Sequence, residues 1–267
     1  ASPPRPAPPA VRRELEALRS CREGDVRPNI VVVGAVGAGK SSLINTAYAV
    51  LNETEGSLAG VPDGGAVAGG LTTEYCRYEC VIGKGKGGSV QPFTLADTCG
   101  MPTVAGMRDD VLASLKNVVR GRYKNGGRMD NGWRNVKALQ DPKKRCHGII
   151  LVLNATEQPS PYLIQLVNDL SCEEEDIPVS IAWTHMDLLG QESIPTVLSH
   201  LRRVIHAMPR AVSFPLRCYG RGQHGDGQVD LAVLELLQHT RTQASRHMLF
   251  GHQEASMRLM AAVEMAY

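Results

Sequence analysis

Aromatic residues are scarce. Three Phe, two Trp and seven Tyr make up 4% of the 267 residues, so a core has to be assembled from Val, Leu, Ile, Ala and Met. No CxxC pair occurs among Cys21, Cys76, Cys80, Cys99, Cys146, Cys172 and Cys218. An odd, widely spaced set fits reduced thiols better than a disulfide framework. The tight ligand pairs of a structural zinc site are missing too. No apolar run approaches the roughly 20 residues that span a bilayer, and the proline-rich stretch from Ala1 to Ala10 does not read as a signal peptide. A net charge of +2 is too small to make nucleic acid the main partner. The expectation is a cytoplasmic protein with no membrane partner and no nucleic-acid partner.

The length suits one large α/β domain with extensions. Residues 1–25 read as a proline-rich lead-in followed by a short helix that carries Leu15 and Leu18. Residues 26–250 read as the domain, and 251–267 as a C-terminal helix. Asn29 to Val33 is a short β-branched run of the kind that forms a strand buried on both faces. A glycine-rich loop follows, and Ser42 to Leu51 is helical. Residues 52–71 are rich in glycine and predict a loop. Thr73 to Ile82 and Val90 to Asp97 predict two strands joined by the glycine turn 83–88, hence an antiparallel hairpin. Residues 108–119 predict a helix.

Residues 120–147 break this rhythm. They carry nine Lys and Arg against only Asp130 and Asp141, and read as an insertion. That is either a solvated basic loop or a surface for a second protomer, an acidic partner or a phosphate. Strands then follow at His147 to Leu153, Ile177 to Trp183 and Ala211 to Cys218. Helices are predicted at Pro161 to Leu170, Ile194 to His206, Leu231 to His247 and Gln253 to Tyr267. Repeated strand–helix units predict an α/β fold with a mostly parallel central sheet, one antiparallel edge hairpin and helices on both faces.

The loop Gly34-Ala35-Val36-Gly37-Ala38-Gly39-Lys40-Ser41 matches GxxxxGK[ST] without a gap. Average residue usage gives a chance match in a chain this long on the order of one in a hundred, and the strand and helix flanks make chance rarer still. The chemistry explains the pattern. Glycines let the backbone turn successive N–H groups inward as an anion nest, and the helix that starts at Lys40 adds its positive end. Gly37, Ala38, Gly39, Lys40, Ser41 and Ser42 are the expected phosphate-binding residues. Lys40 is expected on the β- and γ-phosphates and Ser41 on Mg²⁺.

Three further features select the nucleotide. Asp97-Thr98-Cys99-Gly100 matches DxxG, with Asp97 toward Mg²⁺ and the Gly100 N–H toward the γ-phosphate. Thr184-His185-Met186-Asp187 follows an apolar strand, where guanine-reading proteins place Asn/Thr-Lys-x-Asp. The Asp187 carboxylate accepts from the ring N–H and the exocyclic amine of guanine. Adenine presents an acceptor at that ring position, so the carboxylate disfavours it. Thr72 or Thr73 is the candidate for closing on Mg²⁺ and the γ-phosphate, with Thr72 favoured. Tyr219, in Cys218-Tyr219-Gly220, is a candidate for stacking near the base, with backbone N–H groups there toward guanine O6. Together these motifs predict a P-loop fold of the Ras-like GTPase type that binds GTP or GDP with Mg²⁺.

With the motifs assembled, the chain from about Val26 to about Leu249 resembles the interferon-induced protein 44 family. Asn29 to Gly34, Gly37 to Ser42 with Asn45, Thr72 with Tyr75 and Tyr78, Asp97 to Gly100, His147 to Asn154 and the Thr184-His185-x-Asp187 variant carry the resemblance. It implies a cytoplasmic GTP-binding domain linked to interferon-stimulated, antiviral immune responses.

After DxxG, fast GTPases place a Gln that orients water. Met101 stands there, and a thioether cannot do this. Slow hydrolysis is expected, with Arg108, Arg120 or Arg122 as candidates to stabilise transition-state charge. The expected function is a guanine-nucleotide switch read by a protein effector, with a nucleotide-dependent homodimer left open. The alternative is an interaction module with a structural, hardly hydrolysed nucleotide.

Overall fold

Asn29 to Gly34 is buried at every position, and the continuous Ile-Val-Val-Val run suits a strand covered on both faces. The computed structural model describes residues 8–20, 27–52, 74–85, 88–101, 108–123, 125–128, 141–219 and 225–264. The strands are β1 Asn29–Gly34, β2 Glu74–Gly85, β3 Gly88–Asp97, β4 Gly127–Arg128, β5 Gly148–Asn154, β6 Val179–Thr184 and β7 Val212–Pro215. The helices are α1 Pro9–Arg19, α2 Lys40–Asn52, α3 Arg108–Val119, α4 Pro161–Glu173, α5 Ile194–Ala207 and α6 Gly227–Glu264.

One mixed sheet runs in the order β4-β2-β3-β1-β5-β6-β7. Strands β3, β1, β5, β6 and β7 are parallel. Strand β2 runs antiparallel to both β3 and β4. The predicted edge hairpin is therefore present, and two residues from the basic stretch extend it by pairing Gly127–Arg128 with Tyr75 and Glu74.

Side chains alternate between the two faces, as pleating requires. Val31, Val33, Ile149, Leu151 and Leu153 join one buried cluster with α3, α4 and α5 residues such as Leu115, Leu166 and Val204. Ile30, Val32, Ile150 and Val152 join the other with α1, α2 and α6 residues such as Leu15, Leu43 and Leu237. Helices thus cover both faces. Val11, Leu15 and Leu18 of α1 sit in this second cluster and pack near α6. Helix α4 starts on Pro161, with Leu163 N donating to Ser160 Oγ at 3.3 Å, a side-chain cap of the ordinary kind. Among the described residues no helix is long and apolar enough to cross a membrane.

Two expectations need correction. The predicted pair of C-terminal helices is one continuous helix, α6, of 38 residues. No proline or capping residue interrupts 247–253, and a single Gly251 costs only about 1 kcal/mol in a helix. The stretch 120–147 is also more integrated than an insertion. Arg77 N donates to Asn125 Oδ1 at 2.6 Å, and Asn29 Nδ2 donates to the carbonyls of Lys143 and Arg145 at 2.8 and 2.9 Å. Cys146 N donates to Val119 O at 2.7 Å. Both ends of the stretch are stitched to the sheet; 129–140 lie outside the described residues.

Candidate nucleotide site at the carboxyl edge of the sheet

Parallel strands share one carboxyl edge, and in open α/β sheets the crevice beyond that edge is where ligands sit. The phosphate loop leaves β1, Asp97 ends β3, and Thr184 ends β6. Three motifs far apart in sequence therefore meet on one edge because their strands are parallel. Strand order places β3 and β5 on either side of β1, so the loop lies where connections diverge.

The loop has the backbone it needs. Gly37 and Gly39 adopt φ of 75° and 89°, conformations closed to most side chains. A Cβ on Gly39 would lie 3.3 Å from His185 Cε1 and 3.4 Å from Thr184 Oγ1. Lys40 opens α2 and folds back, donating from Nζ to Gly34 O at 3.2 Å and Ala35 O at 3.0 Å. Ser41 Oγ donates to Asp97 Oδ2 at 2.9 Å. Asp97 is buried, and its Oδ1 has no hydrogen-bond partner among the described residues. A buried carboxylate oxygen left over beside a serine hydroxyl suits a hard divalent cation. Burial lowers the Lys40 ammonium below its ordinary pKa and raises that of Asp97, and each shift is countered first by the opposite charge of the other.

The DxxG segment is fixed to the loop. Met101 N donates to Gly34 O at 2.9 Å, and Ala35 and Met101 form a parallel bridge. Thr98 Oγ1 donates to Val32 O at 2.8 Å. Val36 lies over Gly100 so closely that a Cβ there would be 2.3 Å from Val36 Cγ2. Met101 is 1% exposed, inside the cluster on the α3–α4–α5 face. Its side chain points into the core, which explains why a thioether is tolerated at a position where water-orienting enzymes carry Gln.

The Thr184–Asp187 turn touches the phosphate loop directly. Thr184 Oγ1 donates to Ala38 O at 2.7 Å and reaches Leu153 O at 3.2 Å. The same oxygen lies 3.0 Å from His185 Nδ1. His185 takes a left-handed backbone, φ 59°, at the start of a 3₁₀ turn over Met186–Leu188, a strain of about 1 kcal/mol that such sites often carry. Asp187 is exposed. The Cys218 thiol is pushed up to about 11, by burial first, with the Asp187 charge adding to it. Asp187 is thus exposed on the turn that His185 and Thr184 anchor, with its charge felt at Cys218.

Tyr219 has a different setting from the one expected of it. Its backbone N donates to Thr46 Oγ1 at 2.9 Å, so that N–H is not free for a base oxygen. Its hydroxyl accepts from Asp226 N at 2.8 Å and donates to Asp230 Oδ1 at 2.5 Å. The phenol therefore locks the loop to the start of α6. Sequence reasoning missed Thr46. It sits on the buried side of α2, bonds back to Ser42 O at 2.8 Å and holds the Tyr219 amide. A Thr at that helical position carries no pattern that distinguishes it from a core residue.

Ser42 lies in the first turn of α2, and Gly100 lies in the DxxG turn against Val36. Thr72 and Thr73 lie outside the described residues. Of the candidate arginines, Arg120 is removed. Helix α3, 12 residues and about 18 Å long, ends beside the start of β5, where Cys146 N bonds to Val119 O, and Arg120 follows it at that amino edge of the sheet. There its Nε and Nη2 donate to buried Glu174 at 3.1 and 2.7 Å. Arg122 donates to Asn117 Oδ1 at 3.2 Å, near the same end of the helix. Arg145 pairs with Glu175 at 2.8 Å, and Lys116 pairs with Glu173. Two basic residues of 120–147, Arg120 and Arg145, thus pair with Glu174 and Glu175 just after α4, and Lys116 of α3 pairs with Glu173 at its end. Arg120→Ala, which strands a buried carboxylate, is expected to lower unfolding free energy by about 2 kcal/mol and to leave nucleotide turnover unchanged. A denaturant melt beside a turnover assay checks both.

No protein-family profile and no curated protein matches this sequence. Solved structures with a similar chain path include the bacterial selenocysteine-specific elongation factor EF-Sec, at 15% identity and a TM-score of 0.46. Translation elongation factor SelB from Methanococcus maripaludis, in complex with the GTP analogue GppNHp, is similar at 13% identity and 0.41. The likeness covers 80% and 82% of this chain but only 29% and 34% of theirs. This chain therefore spans about a third of the length of either elongation factor.

Proposed function

We propose that the protein binds guanine nucleotide with Mg²⁺ at this edge and hydrolyses GTP slowly. The observation that carries the reading is the hydrogen-bonded convergence of three motifs. Thr184 bonds to Ala38, Ser41 to Asp97 and Met101 to Gly34. The amides of 37–41 and the Lys40 ammonium supply the positive cradle for phosphates. Ser41 and Asp97 would hold Mg²⁺, which supplies charge neutralisation at the phosphates. Thr184 and His185 brace the base pocket against the phosphate loop, and Asp187 reads the guanine edge. The Thr184-His185-Met186-Asp187 variant supports placing the protein beside the interferon-induced protein 44 family, as an immune-response switch read by an effector.

Buried Met101 and Gly100 packed beneath Val36 favour the slow end of the range. No side chain among the described residues at the DxxG turn is set to orient water. A nucleotide that is held and seldom turned over is the second reading this supports.

Calorimetric titration of nucleotide-free protein with GDP, a non-hydrolysable GTP analogue and ADP tests the proposal, each with and without Mg²⁺. Guanine-only binding that Mg²⁺ tightens for the triphosphate analogue is the expected result. ADP binding equal to GDP binding would overturn it.

A further inference from the structure

Helix α2 leaves the phosphate loop at Lys40 and buries one face. Beyond Lys40 that face consists of Leu43, Ile44, Ala47, Val50, Leu51 and a single polar residue, Thr46, which is 0% exposed. A polar group so placed has to be bonded. The Thr46 hydroxyl donates to Ser42 O at 2.8 Å, the ordinary bond of a Thr inside a helix. The same oxygen accepts from Tyr219 N at 2.9 Å, which no helical rule requires. The Cys218 thiol bonds to Thr46 as well. A Val of the same shape would fill this apolar position and leave the Tyr219 amide without its acceptor.

Residues 216–219 follow β7 and are held at both ends. Leu216 N donates to Trp183 O at 2.7 Å, and Met186 N donates to Leu216 O at 3.4 Å. Those bonds tie the front of the segment to the turn that carries Asp187. The Tyr219 hydroxyl ties its back to Asp226 and Asp230 at the start of α6. Thr46 adds a tie to the phosphate side. It stands about 9 Å along the axis from Lys40, on the helix whose first residues are Lys40 and Ser41. One hydroxyl thus connects the helix that would hold the phosphates to the segment beside the base-reading turn.

We propose that Thr46 is a positioning residue for the nucleotide base: its hydroxyl fixes residues 216–219 to the phosphate-binding helix and so sets the spacing between the phosphate end and the base end of the site. The inference rests on the guanine-nucleotide reading and adds to it a residue that no base-reading motif contains. Without the hydroxyl, the segment stays tied to the 183–186 turn and to α6, so the chain folds. What is lost is the fixed placement of the base end relative to the phosphates, on which tight binding of the whole nucleotide depends.

Calorimetric titration of the full chain with GDP tests it on Thr46→Val, on Thr46→Ser and on Thr46→Val combined with Asp187→Asn. Thr46→Ala takes the place of Thr46→Val if circular dichroism shows that the latter does not fold. Thr46→Val is expected to weaken GDP binding about tenfold, and Thr46→Ser, which keeps the hydroxyl, to stay within about threefold of the original protein. The combined variant is expected to bind about as weakly as Asp187→Asn alone, because two changes that act on one base seat do not multiply. GDP binding that Thr46→Val leaves intact, an equal loss in Thr46→Ser, or losses that multiply in the combined variant would each overturn the inference while the guanine reading stands. An original protein that binds ADP as well as GDP would overturn the guanine reading itself, and this inference with it.

Discussion

Asp187→Asn is expected to weaken GDP and GTP-analogue binding by about two orders of magnitude, close to 3 kcal/mol, while the fold stays intact. The carboxylate offers two acceptors to a base edge that presents two donors. The amide keeps one acceptor and sets its NH₂ against a guanine donor, so the loss includes an unpaired group as well as a missing bond. Asp187 is exposed and belongs to no core cluster, so the change should not register in a thermal melt. Xanthosine diphosphate provides the inverse readout, because its C2 oxygen accepts where the guanine amine donates. It is expected to bind the variant better than GDP does. Calorimetry with both nucleotides decides the matter. Equal GDP affinity in the variant and the original protein would remove Asp187 from the base site.

The selectivity proposed for Asp187 depends on a turn that is itself tied to the phosphate loop. Thr184 Oγ1 lies 2.7 Å from Ala38 O, 3.2 Å from Leu153 O and 3.0 Å from His185 Nδ1, so one hydroxyl links the phosphate loop, the end of β5 and the imidazole. Gly39 leaves room for the imidazole, since a Cβ there would press on both residues. Base end and phosphate end are thus one hydrogen-bonded unit. Movement of the 184–188 turn is expected to disturb phosphate binding even though Asp187 never touches a phosphate.

The site was legible in the sequence where chemistry demands a fixed spacing. The phosphate loop, DxxG and Thr-His-x-Asp each encode local backbone geometry, and parallel strands bring such motifs to one edge without further information. The apolar runs of β1, β5 and β6 were legible because burial on both faces removes polar positions. What was not legible depends on direction or on distant partners. Arg120 follows the second motif closely in sequence, yet α3 carries it to the far edge, where Glu174 waits at the end of α4. The charge balance of 120–147 alone hides this, because the partners of Arg120 and Arg145, Glu174 and Glu175, lie outside that window. Tyr219 sits in the right loop, but Asp226 and Asp230 occupy its hydroxyl, and no local pattern announces such a contact. The continuity of α6 was obscured by Gly251, which looks like a stop in one dimension and is tolerated in three.

Met101 is where sequence logic and structure give opposite advice. Sequence logic suggests that Met101→Gln would restore the water-orienting residue and speed hydrolysis. The structure predicts a protein less stable by about 3 kcal/mol with no gain in rate. The side chain is 1% exposed among Val31, Val33, Ala96 and Leu115 of one core cluster. A Gln there forfeits about 1–2 kcal/mol of apolar burial and adds about 1–3 kcal/mol for an amide without partners. For a domain of this size that corresponds to a fall of about 6–12 °C in melting temperature. The backbone holds the residue in place, since its N–H bonds to Gly34 O at 2.9 Å and it bridges to Ala35. Turning the side chain outward would break the DxxG turn away from the phosphate loop and from Val36, which already covers Gly100. Single-turnover hydrolysis measured beside a calorimetric melt separates the two views. A tenfold faster variant with an unchanged melt would mean that residue 101 swings out to the nucleotide, and the slow-hydrolysis reading would then rest on the residue's identity alone rather than on its burial.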